Sequence, residues 1–241
     1  SRKNGVYKDI QKCLQEEKQI VFIGLPCEVA AVKLFLNNNY DNIIFVELIC
    51  HGVTSPKVSE QYIDAIEKKY GKLTYFNLRY KKYGWTPPCI KIDFANNQSF
   101  SKLFDSTAYG YAFRNFSRPS CYFCDYKGNK RVADITIGDY WGIKRDDKCW
   151  NPEGVSIVFV HTNKGNELVN MLDNVNIYPV MYEQAINNNS YINKPRERGI
   201  RDEYSKAFIN SNIFYARKKT ENIKQKIIRI LRDLYYLIKS D

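Results

Sequence analysis

The sequence predicts an α/β (α+β) fold: a mixed sheet with early parallel βαβ strands, an antiparallel meander, flanking helices and a C-terminal helical tail. Three observations predict it. The first seventy residues alternate helix-like and strand-like runs; the stretch from Leu73 to Phe104 switches to β-rich segments broken by turn signals; and from Arg217 onward apolar residues recur at helical spacing.

Residues 6–17 (VYKDIQKCLQEE) have helical spacing, and QIVFIG at 19–24 reads as a short buried strand. LPCEVAAVKLFL then opens a helix with Pro26 in its first turn, where a missing N–H costs nothing. NIIFVELIC at 42–50 is a second strand. SPKVSEQYIDAIEKKYG follows as a helix, with Ser55 as N-cap, Pro56 at the first position and Gly71 as the stop. An α-β-α-β-α order of this kind argues parallel strands flanked by helices. LTYFNLRY, CIKIDFAN and SFSKLF, separated by YGWTPP and ANNQ, form the antiparallel meander. STAYGYAFRNF at 106–116 reads as a short aromatic helix. ADITIGDYW and GVSIVFVHT return as strands, NKGNELVNMLDN as a helix and VNIYPV as a final strand. NNNSYINKP is then a loop, and two helices close the chain. The expected division is one α/β domain over 1–195 and a helical extension with a basic amphipathic helix over 196–241.

A 241-residue chain with 44% hydrophobic residues can bury a sizeable core. No apolar run approaches the ~20 residues of a membrane span. The chain opens on Ser1 rather than Met and soon enters a helix-like stretch, which suggests a piece of a longer polypeptide. The net charge of +11 suggests an anionic partner, yet much of the excess is local: Arg217 to Asp241 hold eight basic and three acidic side chains. Within that tail Ile223, Ile227, Leu231, Leu234 and Ile238 make one face of a basic amphipathic helix. Docking on its own protein is the ordinary use of such a helix; a membrane surface or a partner is the other. Seven cysteines in a chain of this size point to reduced thiols used for ligation or chemistry, hence a cytoplasmic protein.

RPSCYFCDYKG contains the only close cysteine pair, Cys121 and Cys124. A site of four thiolates needs two more. Cys27 follows Pro26 at a helix start, where free N–H groups and the dipole lower a thiol pKa. Cys50 ends the next strand, just before His51. In a βαβ arrangement a helix start and the end of the neighbouring parallel strand share one sheet edge, so Cys27 and Cys50 can face a common point. The cysteine-pair loop can complete it. Structural zinc prefers two short knuckles, whereas an iron–sulfur cluster accepts scattered ligands; ordinary buried thiols are the third reading. Cys13 fits a core position, and Cys89 and Cys149 have no comparable setting.

Five ordered segments, GLPCEVAAVKLFL, ELICHGVTSPKV, NLRYKKYGW, RPSCYFCDYKG and ADITIGDYWGI, resemble the coenzyme F420 hydrogenase/dehydrogenase beta-subunit family, particularly its C-terminal domain. The likeness runs from about Gly24 to His161. It implies an iron–sulfur flavoprotein in which a [4Fe-4S] cluster exchanges electrons with FAD, and the flavin exchanges a hydride with a deazaflavin or another acceptor. It also implies Cys27, Cys50, Cys121 and Cys124 as cluster ligands. Many members carry an N-terminal ferredoxin-like segment with closely spaced cysteines, and none stands before Ser1. The expected electron source is therefore that missing segment or a separate ferredoxin-like donor.

No G-x-G-x-x-G follows the first strand, so a flavin pyrophosphate needs other cations. Arg79, Lys81 and Lys82 with Trp85 are the candidates for phosphate and ring contact, and a solvated hairpin turn with a packed Trp is the structural alternative. Asp139 and Trp141 follow the cysteine loop, with Asp139 also readable as a turn residue. His51 adjoins Cys50; His161 reads as structural. No catalytic proton donor is assigned. The rival functions are a non-catalytic four-cysteine metal module, for which nucleic acid is the less favoured partner because no recognised motif is present, and a scaffold protein of polysaccharide biosynthesis.

Overall fold

The computed structural model describes residues 5–187 and 189–239. In chain order it begins with α1 (Val6–Gln15), β1 (Ile20–Gly24), α2 (Pro26–Leu36), β2 (Ile43–Leu48) and α3 (Pro56–Tyr70). Three strands follow, β3 (Leu73–Tyr80), β4 (Cys89–Phe94) and β5 (Ser99–Leu103), and then α4 (Ala108–Asn115). The strands β6 (Ile135–Asp139) and β7 (Ser156–Val160) precede α5 (Asn163–Asn170) and α6 (Tyr182–Ile186). Last come α7 (Arg201–Asn210), α8 (Ile213–Thr220) and α9 (Ile223–Ile238). The chain divides into two compact units, each built from two segments: Ser1–His51 with Cys124–Pro195, and Gly52–Phe123 with Arg196–Asp241.

The first unit holds a four-stranded sheet in the order β1-β2-β6-β7. β1 and β2 are parallel, with Ile20 opposite Ile43 and Gly24 opposite Glu47, and β6 joins β2 in parallel. β7 then turns back antiparallel to β6. Apolar side chains of α1 and α2 (Ile10, Leu14, Val29, Val32, Leu36) pack on Ile43 and Phe45, so one sheet face carries the core. Pro26 starts α2 in its expected place, and the Leu25 N–H donates to the Glu28 carboxylate at 2.9 Å, satisfying one free donor of the helix start. β1 is less buried than its apolar sequence suggests. Val21 is 53% and Ile23 61% exposed, because their alternate side chains point to the face that α1 and α2 do not cover.

The second unit holds the expected meander, β3-β4-β5, antiparallel throughout. Ile90 and Ile92 of β4 are fully buried with Val58 and Tyr62 of α3, Ala112 of α4, and Tyr204 and Phe208 of α7. Burying each such aliphatic side chain contributes about 1.5–3 kcal/mol. Ser55 stands at the N-cap of α3 without a side-chain capping bond, Pro56 begins the helix, and Gly71 ends it at φ +100°.

Three details differ from the sequence reading. VNIYPV at 175–180 is not a strand; its β-forming side chains Val175, Ile177 and Tyr178 are exposed, no strand pairs with it among the described residues, and propensity alone does not hold an unpaired strand. The five-residue α6 follows instead, its Ala185 packing with Ile157 and Tyr140. Among the described residues after 196 there are three helices rather than two, since Asn212 caps a separate α8 through bonds from Phe214 N–H (3.0 Å) and Tyr215 N–H (2.9 Å).

Candidate metal and cofactor site

Parallel pairing of β1 and β2 puts the start of α2 and the end of β2 at one edge of the first unit's sheet. Cys27 is the second residue of α2, and Cys50 lies two residues beyond β2. Cys124 opens the second segment of the same unit. Burial pushes the Cys27 thiol up from its ordinary value, and Cys50, then the Glu28 carboxylate, then Cys124 push it further. Its own backbone N–H works in the opposite direction and loses. The helix start was expected to lower this pKa. Burial of the thiol, with Cys50, Glu28 and Cys124 adding to it, outweighs the one backbone amide and moves the pKa the other way.

Lys127 fixes the geometry of this edge. Its ammonium donates to the Cys50 carbonyl at 2.5 Å and to the Tyr191 carbonyl at 2.7 Å, tying the end of β2 to the loop that begins at Cys124. The His51 ring lies beside Tyr191, with centroids 4.7 Å apart. Just upstream, Glu47 is fully buried in β2 and paired with the Arg131 guanidinium, which also donates to the Ile192 carbonyl at 2.9 Å. Thr136 donates to the same Glu47 oxygen at 2.9 Å and stands 2.8 Å from His161 Nε2. The other Glu47 oxygen has no partner among the described residues. Neither Lys127 nor the Glu47–Arg131 pair was singled out from sequence, and His161 was read as structural. The available signal was an acid, Glu47, inside the apolar run NIIFVELIC.

Cys121 belongs to the second unit, on a 3-10 turn over Pro119–Phe123, where its N–H donates to the Arg118 carbonyl at 3.0 Å. That turn is anchored within its unit: Arg118 N–H donates to the Val53 carbonyl at 2.8 Å, and Ser117 N–H to the Tyr122 hydroxyl at 3.1 Å. Gly52, two residues after Cys50, has φ +100°, and a Cβ there would stand 2.8 Å from Ser117 Oγ and 3.6 Å from the Cys121 Cβ. Only a glycine lets the backbone leaving Cys50 pass so close to that turn.

The flavin candidates are divided. Arg79 is an exposed residue of β3, Lys81 and Lys82 lie on the exposed turn that follows it in the second unit, with the Lys82 ammonium 5.1 Å from the Tyr83 ring centroid, and Trp85 is buried. Asp139 ends β6 in the first unit, where its carbonyl accepts from Trp141 N–H at 3.0 Å. Among the described residues no three His, Cys, Asp or Glu side chains converge as the ligands of a single ion do. As donors, Cys27, Cys50 and Cys124 of the first unit and Cys121 of the second are thiols, the ligand type that iron–sulfur clusters use. The cations of the β3–β4 turn, with no acid among residues 79–85, suit a phosphate group.

Among curated proteins no match to this chain is found. A family model that describes the C terminus of the coenzyme F420 hydrogenase/dehydrogenase beta subunit matches residues 17–180. The matched stretch is more than half of the chain and contains all four cysteines, the Arg79–Trp85 segment, Asp139 and Trp141. The chain belongs to the family defined by the C-terminal region of coenzyme F420 hydrogenase/dehydrogenase beta subunits, a family of oxidoreductase subunits that work with electron-transfer partners.

Proposed function

We propose that this chain is an iron–sulfur flavoprotein subunit in which Cys27, Cys50, Cys121 and Cys124 hold a [4Fe-4S] cluster, and Arg79, Lys81 and Lys82 bind the phosphates of FAD. The observation that supports it most is the parallel pairing of β1 and β2, which brings Cys27 at the start of α2 and Cys50 just beyond β2 to one sheet edge. When bound, the cluster supplies one-electron steps and the flavin supplies hydride chemistry.

The chain's own residues hold and orient. Pro26 and the Leu25–Glu28 bond fix where α2 begins and so where Cys27 stands. Lys127 holds the Cys50 carbonyl, and Gly52 gives the following backbone room beside Ser117. The raised Cys27 pKa means this thiol is protonated at neutral pH, so ligation releases its proton and cluster uptake depends on pH. Asp139, which ends β6, and Trp141, two residues beyond it, contact a planar cofactor or support the cysteine edge in this reading. Electrons come from a ferredoxin-like donor, and the acceptor is a deazaflavin or another small molecule.

The test is anaerobic reconstitution with iron and sulfide, followed by FAD titration and assay of deazaflavin reduction with a reduced ferredoxin. FAD binding that weakens about tenfold or more in the Lys81→Glu/Lys82→Glu variant supports the reading, since each lost phosphate contact of a charged donor is worth about 1.5–3 kcal/mol. A protein that takes up iron and sulfide yet never binds flavin contradicts its second half.

A further inference from the structure

α9 is amphipathic with its polar side turned to the protein. At about 100° per residue, Arg229, Arg232, Asp233 and Tyr236 share one side, and all four engage the second unit. Arg229 donates to Glu221 at 2.9 Å, Arg232 to Asp105 at 3.4 Å, Asp233 accepts from the Ser106 hydroxyl, and Tyr236 lies against Tyr83 with centroids 4.9 Å apart. The opposite side is the apolar stripe of Ile223, Ile227, Leu231, Leu234, Leu237 and Ile238. No residue of α9 is buried, and the stripe is open along its length, from Ile223 at 78% exposed through Leu231 at 61% to Ile238 at 76%. Docking on its own protein is the ordinary use the sequence reading gave such a helix. This one docks by its polar face. A contiguous exposed apolar stripe marks an interaction surface rather than a solvated one.

The charge around the stripe says what covers it. Lys224 and Lys226 flank it on its two sides and Lys239 follows its end, all exposed. Asp233, the only acid of α9, is on the docked side, 3.6 Å from Lys102. Beside the helix the second unit forms a cavity of about 440 Å³ lined by Lys69, Arg217, Lys218, Lys226 and Arg229, whose single acid, Glu221, is held by both arginines. The buried Arg217 Nε has no partner among the described residues. A rim of cations around an apolar face repels a second copy laid on the same face and attracts an anionic lipid surface.

We propose that α9 is an in-plane membrane-docking helix whose apolar stripe enters the headgroup–acyl boundary of an anionic bilayer. Lys224 and Lys226 reach lipid phosphates from its flanks, their aliphatic stems lying along the apolar face. α9 stands outside the stretch matched to the family, and the docking is independent of the redox reading.

Vesicle flotation of the full chain tests it, with phosphatidylcholine alone and with phosphatidylcholine mixed with phosphatidylglycerol. The bound fraction rises about tenfold or more with the anionic lipid and falls on raising salt. Ile227→Ser/Leu231→Ser/Leu234→Ser abolishes binding while leaving circular dichroism and thermal midpoint unchanged, and Lys224→Glu/Lys226→Glu removes the anionic preference. Equal binding to both vesicles, or none to either, overturns the proposal. So does a wild-type dimer that the serine variant dissociates, which assigns the face to a second copy. A serine variant with a midpoint several degrees lower also overturns it, because the stripe is then packed on protein.

Discussion

The ammonium of Lys127 is 2.5 Å from the Cys50 carbonyl and 2.7 Å from the Tyr191 carbonyl, so one side chain joins the end of β2 to two later segments of its unit. A charged donor to two carbonyls is worth about 1.5–3 kcal/mol per bond when its partners are partly buried. Lys127→Met keeps most of the stem and removes both bonds. The expected result is faster loss of iron from the reconstituted protein, with Lys127→Arg closer to wild type. Equal iron retention in all three proteins separates Lys127 from the site.

Glu47 and Arg131 form a buried pair whose side chains are almost wholly removed from solvent. Removing one partner strands the other charge. Arg131→Met is expected to lower stability to urea by about 3–5 kcal/mol, and Glu47→Leu/Arg131→Met by clearly less, since the double variant leaves no isolated charge. Equal losses in the two proteins mean that other bonds of Arg131, such as that to the Ile192 carbonyl, matter more than the pair.

His161 gives the pair a pH signature. Burial is the main force holding its imidazole below the ordinary value; Glu47 opposes this, Arg131 adds to it and Asp134 opposes it again. The unfolded chain therefore takes up this proton first, at a pH near about 6.5. The contribution of neutral His161 is complete above that pH and is lost as pH falls through the lower folded value. Thermal midpoints from about pH 8 to pH 5 should fall less steeply for His161→Gln than for wild type. Parallel curves mean that His161 does not titrate between the two states.

Gly52 is constrained twice, by φ +100° and by Ser117 Oγ, which lies 2.8 Å from the position a Cβ would take. Gly52→Ala is expected to cost about 1–3 kcal/mol. Adding Ser117→Gly relieves the contact and leaves the backbone strain, so it recovers part of the loss. Full recovery in urea unfolding would assign the whole effect to the side-chain contact.

Much of the fold was legible because its signals are local. Pro26 and Pro56 at helix starts and Gly71 at a helix end act through local backbone geometry, and the near-alternation of CIKIDF, flanked by two further β-rich runs, marks a paired strand. The site was legible in part for the same reason: parallel β1 and β2 necessarily bring a helix start and a strand end to one edge. What sequence could not show is decided by distant neighbours. VNIYPV has strand composition but no partner strand, Glu47 needs an arginine 84 residues away, and α9 has a pattern that is the same whichever face docks.

The central claim, a cluster on Cys27, Cys50, Cys121 and Cys124, is tested most directly by anaerobic purification with visible absorption and iron, sulfide and zinc analysis. Wild type is compared with the variant carrying serine at all four positions. The account predicts a broad band near ~400 nm and about four irons and four sulfides per chain in wild type, all lost in the variant. Iron content that the four substitutions leave unchanged, or one zinc per chain with no colour, would contradict it.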